Sequence, residues 1–447
     1  MMRLFMSLSL TVVMAAFPAF VGASFAQTDL PNARVSAETL EQFEVGSFLE
    51  SIVVESDGTI IFVDHESHTI YSKRPNGSLE TLAQVDAELR GLSLDLDDTL
   101  FATGKQENGT ETVFRLSHSG DLEPWVTIPD GRFLNGFTLL EPGVFLVADS
   151  FAGIVWRVDV RNQTVSPWLE HALTSVNPDM AQIPGPNGIK LYEGAAYLSN
   201  SAWGTVLRIP IQADGSAGEP EIFLENMVID DFAFSADGDF YGTTHIFNTV
   251  VYAGQDGTRT IIAGPEEGVT GSTAVAFGVT PDDNETLYVV GDGGVFLPPA
   301  GGLVPAELVA LDVGETGLSP IDALSWIERP ETVPGLPTYL VQCTTAPGTD
   351  ELRPLIGPSY LRYLELNADQ IAFAGQAFDG PEAEGSPSAR MYFTLVESAE
   401  QALAVIEASP YYARGLYASC DVRAFNALLG TLVGGVGWPE QATQPRQ

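Results

Sequence analysis

The sequence predicts an all-β six-bladed β-propeller followed by a small α+β domain of ferredoxin-like, dimeric α/β-barrel type. Three observations carry this. A repeat of the form turn, apolar strand, short polar stretch, apolar strand, turn recurs between residues 56 and 296. Its period of roughly 40–50 residues of short strands is a propeller signature, because each blade leaves an apolar face that its neighbour covers. A proline-bearing segment then breaks the pattern at SPIDALSWIERPETVPGLP (319–337), as linkers do. Beyond it, strands and helical stretches follow in the order βαββαβ, which is that of a ferredoxin-like domain.

The chain begins MMRLFMSLSLTVVMAAFPAFVGASFAQT. Arg3, an apolar run and the small-residue site Ser24-Phe25-Ala26 read as a signal peptide over 1–26, cut before Gln27. A membrane anchor is the alternative, disfavoured by Pro18 and the cleavage-like site. The mature protein is expected to be exported, periplasmic or extracellular, with no membrane association. Its 447 residues carry 20 basic and 59 acidic side chains, a net charge of −39. That charge argues against nucleic acid and anionic membranes and favours cations.

The propeller is placed at 38–320. Its copies read SDGTIIFVDHESHTIYSKRPNG (56–77), DDTLFATGKQENGTETVFRLSHSG (97–120), EPGVFLVADSFAGIVWRVD (141–159), EGAAYLSNSAWGTVLRIPIQADG (193–215), ADGDFYGTTHIFNTVVYAGQDG (236–257) and DNETLYVVGDGGVF (283–296). Asp-Gly, Asn-Gly and Pro-Gly pairs separate strands rich in Val, Ile, Phe and Tyr, as hairpins require. TLEQFEVGSF (39–48) is expected to add an outer strand to the last blade and so hide its edge. The linker is 321–337 and the second domain 338–430. In it, TYLVQCTT is a strand, and TDELRPLIGPSYLRYLELNA includes a helix starting near Pro358. DQIAFAGQAFD and ARMYFTLVES are strands, SAEQALAVIEASP is a helix with Ser398 as N-cap, and GLYASCDVRAF is the last strand. Cys343 and Cys420 both lie here. In an exported protein they are candidates to pair; two free thiols are the alternative.

Glu50, Asn135, Asn187 and Asp230 fall at matching places, each just before an apolar strand of a different copy. Innermost propeller strands start at the central channel, so these residues can meet there. Each alone is an ordinary turn residue; four in register make a candidate metal site. Two carboxylates and two amide oxygens suit a hard divalent cation: Ca²⁺ foremost, with Zn²⁺, Mn²⁺ or Mg²⁺ admitted. Such a cation acts as a Lewis acid, and a ligand carboxylate that reaches the attacking water can serve as base. His65, His68, His118, His171 and His245 share no ligand spacing; His245 is the one expected nearest the channel mouth. There is no Gly-x-Ser-x-Gly elbow and no phosphate loop.

These segments resemble the gluconolactonase/regucalcin/luciferin-regenerating-enzyme-like family of six-bladed propellers, over about 280 residues. FLESIVVESDGTIIFVD resembles the family's first Glu segment, PNGIKLYEGAAYLSNS its Asn-Gly segment, and IDDFAFSADGDFY its Asp segment. The resemblance implies Glu50, Asn135, Asn187 and Asp230 as metal ligands, Asp230 also as catalytic base, and Arg132 as a substrate contact. It implies a small-molecule substrate, a lactone or related ester. Ser51-Ile52 replaces the family's usual Gly-Pro. A non-catalytic propeller that binds a small molecule or protein is the alternative.

The C-terminal segment resembles the YCII-related domain family, through the first strand, the helix start, the Phe-Ala-Gly strand and the Pro-Tyr-x-x-x-Gly-Leu corner. Family members usually carry a His in the first helix and an Asp before that Pro-Tyr. Here Tyr360 and Ser409 stand there, and neither replaces them in proton transfer at neutral pH. The domain reads as a dimerisation or ligand-sensing appendage, giving a homodimer. Its first and last strands are neighbours in a ferredoxin-like sheet, which would set Cys343 facing Cys420.

Overall fold

The computed structural model describes residues 30–74, 77–117, 120–327, 338–380, 385–426, 429–430 and 435–436. The expected signal peptide and His118 lie outside them, as do residues 328–337 of the expected linker. The chain forms two compact units; the larger ends at Trp326 and the smaller begins at Ile327.

The larger unit is a succession of four-stranded antiparallel sheets, consistent with a propeller. Their first strands are Leu49–Val54, Ala87–Leu94, Leu134–Glu141, Pro186–Tyr192, Phe232–Phe234 and Ser272–Phe277. Each neighbours the next, and the last neighbours the first, so the sheets close a ring. The second strands IIFVD (Ile60–Asp64), VFLVAD (Val144–Asp149) and AAYLSN (Ala195–Asn200) are buried throughout. They lack the alternation of a half-exposed strand because adjoining sheets cover both faces. The fourth strands, such as Leu79–Gln84, are largely open to solvent.

Hydroxyl side chains latch each sheet to the next around the centre. Ser51 Oγ accepts from Leu92 N (3.0 Å), Thr103 Oγ1 donates to Asn135 O (3.2 Å), and Ser150 Oγ donates to Pro186 O (2.7 Å). Ser199 Oγ donates to Asp230 O (2.8 Å), Thr243 Oγ1 to Thr273 O (2.9 Å), and Thr273 Oγ1 to Leu49 O (2.6 Å), which completes the circuit. Ser36–Gln42 pairs antiparallel with Glu307–Asp312 as the outermost strand of the last sheet. An N-terminal strand thereby covers an edge formed some 270 residues later.

Asp322–Trp326 forms a short 3-10 turn, and the Trp326 indole donates to Leu140 O at 3.1 Å within the larger unit.

In the smaller unit, Tyr339–Thr345, Ile371–Ala377, Ala389–Thr394 and Tyr417–Ala424 form one antiparallel sheet in the order second, third, first, fourth. Helices Leu352–Leu366 and Ala399–Glu407 link first to second and third to fourth. The first helix starts six residues before Pro358 and encloses it. The carbonyl that Pro358 leaves without a helical donor is that of Pro354, so the break costs one bond without ending the helix. Ser398 caps the second helix through Gln401 N at 3.2 Å. Cys343 and Cys420 stand opposite in register and are joined by a disulfide.

Tyr360 is buried, stacked on Tyr411 with ring centroids 3.9 Å apart. Its hydroxyl donates to Tyr392 Oη at 3.0 Å, and burial holds it above the usual phenol range. Ser409 Oγ donates to Ile406 O at 2.7 Å and caps the short helix Pro410–Ala413. Both residues serve packing and capping.

Candidate functional site

The pairing register shifts in the first strand of five successive sheets at one level. The breaks lie between Leu49 and Ile52, Leu89 and Leu92, Leu134 and Phe137, Pro186 and Ile189, and Ser272 and Ala274. A bulge turns a side chain out of the sheet's alternation. Here the residues caught in it are Glu50, Asn135 and Asn187, with Gly91 and Thr273 at the other two sheets. Asp230 stands just before the fifth sheet's first strand, tied by its N–H to Thr243 O at 2.9 Å. All four predicted ligands line a single pocket.

The glycine after each asparagine has a definite reason. A Cβ on Gly136 would collide with Asn187 O, and one on Gly188 would sit 2.6 Å from Asp231 Oδ1 and 2.8 Å from Asp230 O. Asn-Gly here is therefore strand, not turn: glycine lets adjacent first strands approach closely enough for their side chains to converge.

Asp230 is held at both oxygens. Asn187 Nδ2 donates to Oδ1 and also to Ser201 Oγ (3.1 Å). His245 Nδ1 lies 2.8 Å from Oδ2, while its Nε2 lies 2.9 Å from Asp292 Oδ2. Burial alone would lower the His245 pKa, but Asp292 and Asp230 reverse this and hold it well above its ordinary value. Its backbone is left-handed (φ 44°), a conformation costly for a non-glycine residue. Asp292 is fully buried and accepts from Gly294 N (2.7 Å) and Val295 N (3.2 Å). Beside this chain, Lys190 Nζ pairs with Asp231 Oδ1 at 2.5 Å, and burial raises the Asp231 pKa.

Glu50 faces these carboxylates. Burial, then the charge of Asp230, with smaller contributions from Asp292 and Asp231, pushes its carboxyl up to about 8, against the opposing pull of His245. A pocket that forces a carboxylate toward neutrality is short of positive charge. A hard divalent cation fits that deficit and the oxygen donors Glu50, Asn135, Asn187 and Asp230. Only two of these donors are carboxylates; among the described residues no three His, Cys, Asp or Glu side chains gather as a metal cage.

Arg132 is not brought to the pocket. It is exposed, and its backbone N–H bonds Asp149 Oδ2 at 2.9 Å. Sequence reasoning missed Asp292 and the Lys190–Asp231 pair. Asp292 had one available signal: Asp64, Asp149 and Asp292 all stand at or just past the end of a second strand. Asp64 and Asp149 cap the loop leading into the pocket, through Phe48 N (3.1 Å) and Phe133 N (3.0 Å).

The chain matches no known family and no characterised protein by sequence. Solved structures do resemble it. A luciferin-regenerating enzyme aligns over 64% of this chain and 98% of its own, at 14% identity and a TM-score of 0.50. A gluconolactonase from Xanthomonas campestris aligns over 64% and 92% at 15% identity and TM-score 0.48. Regucalcin from Agrobacterium tumefaciens, a calcium-binding protein, aligns over 63% and 96% at 16% identity and TM-score 0.48. At its low identity the likeness to the luciferin-regenerating enzyme is one of fold alone.

Proposed function

We propose that the chain is an exported, metal-dependent hydrolase of a lactone or related ester, built as a six-bladed propeller with a ferredoxin-like appendage. The observation that carries the reading is the meeting of Glu50, Asn135, Asn187 and Asp230 in one pocket, where burial first and then the charge of Asp230 push the Glu50 carboxyl up to about 8. Those four side chains would hold a divalent cation, Ca²⁺ first among the candidates. When bound, the cation supplies Lewis-acid polarisation of a carbonyl. Asp230 takes the proton of the attacking water, with Asn187 and His245 fixing its plane. Asp292 fixes His245 in turn.

The smaller unit is proposed to pair two copies through its helix-free sheet face, where Phe373, Phe393 and Leu340 stand in one row. Among the described residues no helix is long and apolar enough to cross a membrane.

A second reading, a non-catalytic binding module, draws on the internal pairing of Lys190 with Asp231 and of His245 with Asp230 and Asp292. The test is metal content and Ca²⁺-dependent melting of residues 27–447, wild type against Asp230→Ala, followed by lactone hydrolysis. A bound ion, a Ca²⁺-induced rise in Tm and turnover, all lost in the variant, are expected. Metal-dependent hydrolysis retained by Asp230→Ala would refute the assignment of the base. A bound ion without turnover on any lactone would favour the binding module.

A further inference from the structure

We infer that the smaller unit holds a binding site for a small monocarboxylate, built on Arg390 and Tyr411. It lies within that unit alone and stands whether or not the pocket of the larger unit hydrolyses lactones. The first observation is a buried cation without a counter-ion. Arg390, in strand Ala389–Thr394, is only 7% exposed, and its Nε has no hydrogen-bond partner. Among the described residues, ion pairs join Arg353 to Asp350 and Arg362 to Glu365 on the first helix, and none joins Arg390 to a carboxylate. What surrounds Arg390 is aromatic. Its guanidinium carbon lies 4.4 Å from the ring centre of Tyr360 and 5.1 Å from that of Tyr411. The phenols that act on it, Tyr360, Tyr417 and Tyr392, are held above the usual phenol range, by burial first. They stay neutral at pH 7, so none supplies a negative charge. Ring faces return less than an unpaired buried ion costs.

The second observation is a hydroxyl left open beside room. Tyr360, Tyr392 and Tyr417 bond one another through their hydroxyls, at 3.0 Å and 2.6 Å. Tyr411, on the short helix Pro410–Ala413, is 5% exposed, yet its Oη makes no hydrogen bond among the described residues. A Cβ built on Gly357 of the first helix would meet nothing closer than that Oη, at 3.8 Å. Glycine puts no side chain there, so the helix leaves space beside the hydroxyl. A cation from the sheet and a free donor thus flank one ring, and the fold engages neither. A guanidinium fork matches a planar carboxylate with two parallel hydrogen bonds, and a phenol can add a third. One guanidinium balances one charge. Arg353, which bonds Pro387 O (2.9 Å) three residues before Arg390, is already held by Thr345 Oγ1 (2.8 Å) and Asp350. A dianion such as phosphate would bring a second charge that nothing here neutralises.

The experiment uses the full mature chain in chelator, so that no divalent cation holds a carboxylate elsewhere. Acetate, lactate and benzoate are titrated by calorimetry at constant ionic strength in chloride, with inorganic phosphate for comparison. Hydrogen exchange is followed on Ala389–Thr394 and Pro410–Ala413. At least one carboxylate should bind one to one and slow exchange in both segments, with phosphate weaker by about tenfold or more. Arg390→Met and Tyr411→Phe should each lower the carboxylate's affinity by about tenfold. Gly357→Leu, which keeps both groups and fills the space, should lower it by about as much. Arg390→Met gives a further reading that a packing role would not. With its unpaired ion replaced by an apolar chain, the ligand-free variant should exchange no faster than wild type. Faster exchange would make Arg390 a packing residue and overturn the inference. So would no binding of any of the three carboxylates, phosphate binding as tightly as the best of them, or an affinity unchanged in Arg390→Met or Gly357→Leu.

Discussion

Glu50→Gln should stabilise the metal-free protein, and do so only at high pH. The Glu50 carboxyl is pushed from 4.5 to about 8 by burial and by Asp230 and its acidic neighbours. A carboxyl whose native pKa lies above its unfolded value binds protons more tightly when folded. Stability therefore falls as pH rises through that window and levels off above it. At about 1.36 kcal/mol per unit, the shift bounds the cost of ionised Glu50 at ~5 kcal/mol. Relaxation, water and the coupled His245 reduce this to an expected ~2–3 kcal/mol. Glutamine keeps the shape and removes the charge. In chelator, the difference between variant and wild type should be near zero at pH 5 and reach ~2–3 kcal/mol at pH 9, a rise in Tm of ~4 °C or more. Urea unfolding at a series of pH values measures it. With Ca²⁺ the order should reverse, since the ion needs the charge that the metal-free fold resists. A pH-independent difference, or a variant less stable than wild type at pH 9 in chelator, would refute the claim that crowded carboxylates define this pocket.

Asp292→Ala removes a buried partner of His245 and strands the N–H groups of Gly294 and Val295; a loss of about 3–5 kcal/mol is expected in denaturant titration, with Asp292→Asn losing less. Gly136→Ala drives a methyl into Asn187 O. It should cost more than about 3 kcal/mol and weaken Ca²⁺ binding, read together by melting with and without the ion. Cys343→Ala opens a disulfide spanning 77 residues; loop-closure entropy puts the loss near 4 kcal/mol, confined to the smaller unit and measurable by hydrogen exchange on its strands.

Much of this architecture was legible in the chain. Repeating turn and strand patterns placed the sheets, and TLEQFEVGSF was read as closing strand because an unpaired edge needs a partner. The four oxygen-bearing residues could be picked out in the sequence because each falls at or beside the start of the first strand of its own sheet, although three of them lie within that strand rather than before it. Pro358 misled because proline favours a helix's first turn, while here it sits where the missing N–H would have met only Pro354. Arg132 was named on the family resemblance; the structure leaves it exposed and outside the pocket's lining, its backbone N–H donating to the Asp149 carboxylate. Asp292 had only its place just past a second strand's end, shared with Asp64 and Asp149, to mark it, since its partner His245 is 47 residues away.

By itself, then, the sequence determined periodicity: which segments are strands, where copies begin, and which polar residues recur in phase. Those are properties of spacing along one chain. Only the tertiary structure decided which of them meet. The bulges at the first strands, the glycines that let neighbouring strands close in, and the Asp292–His245–Asp230 chain depend on distances between sheets. Those distances arise from packing the whole ring and have no counterpart in any one repeat.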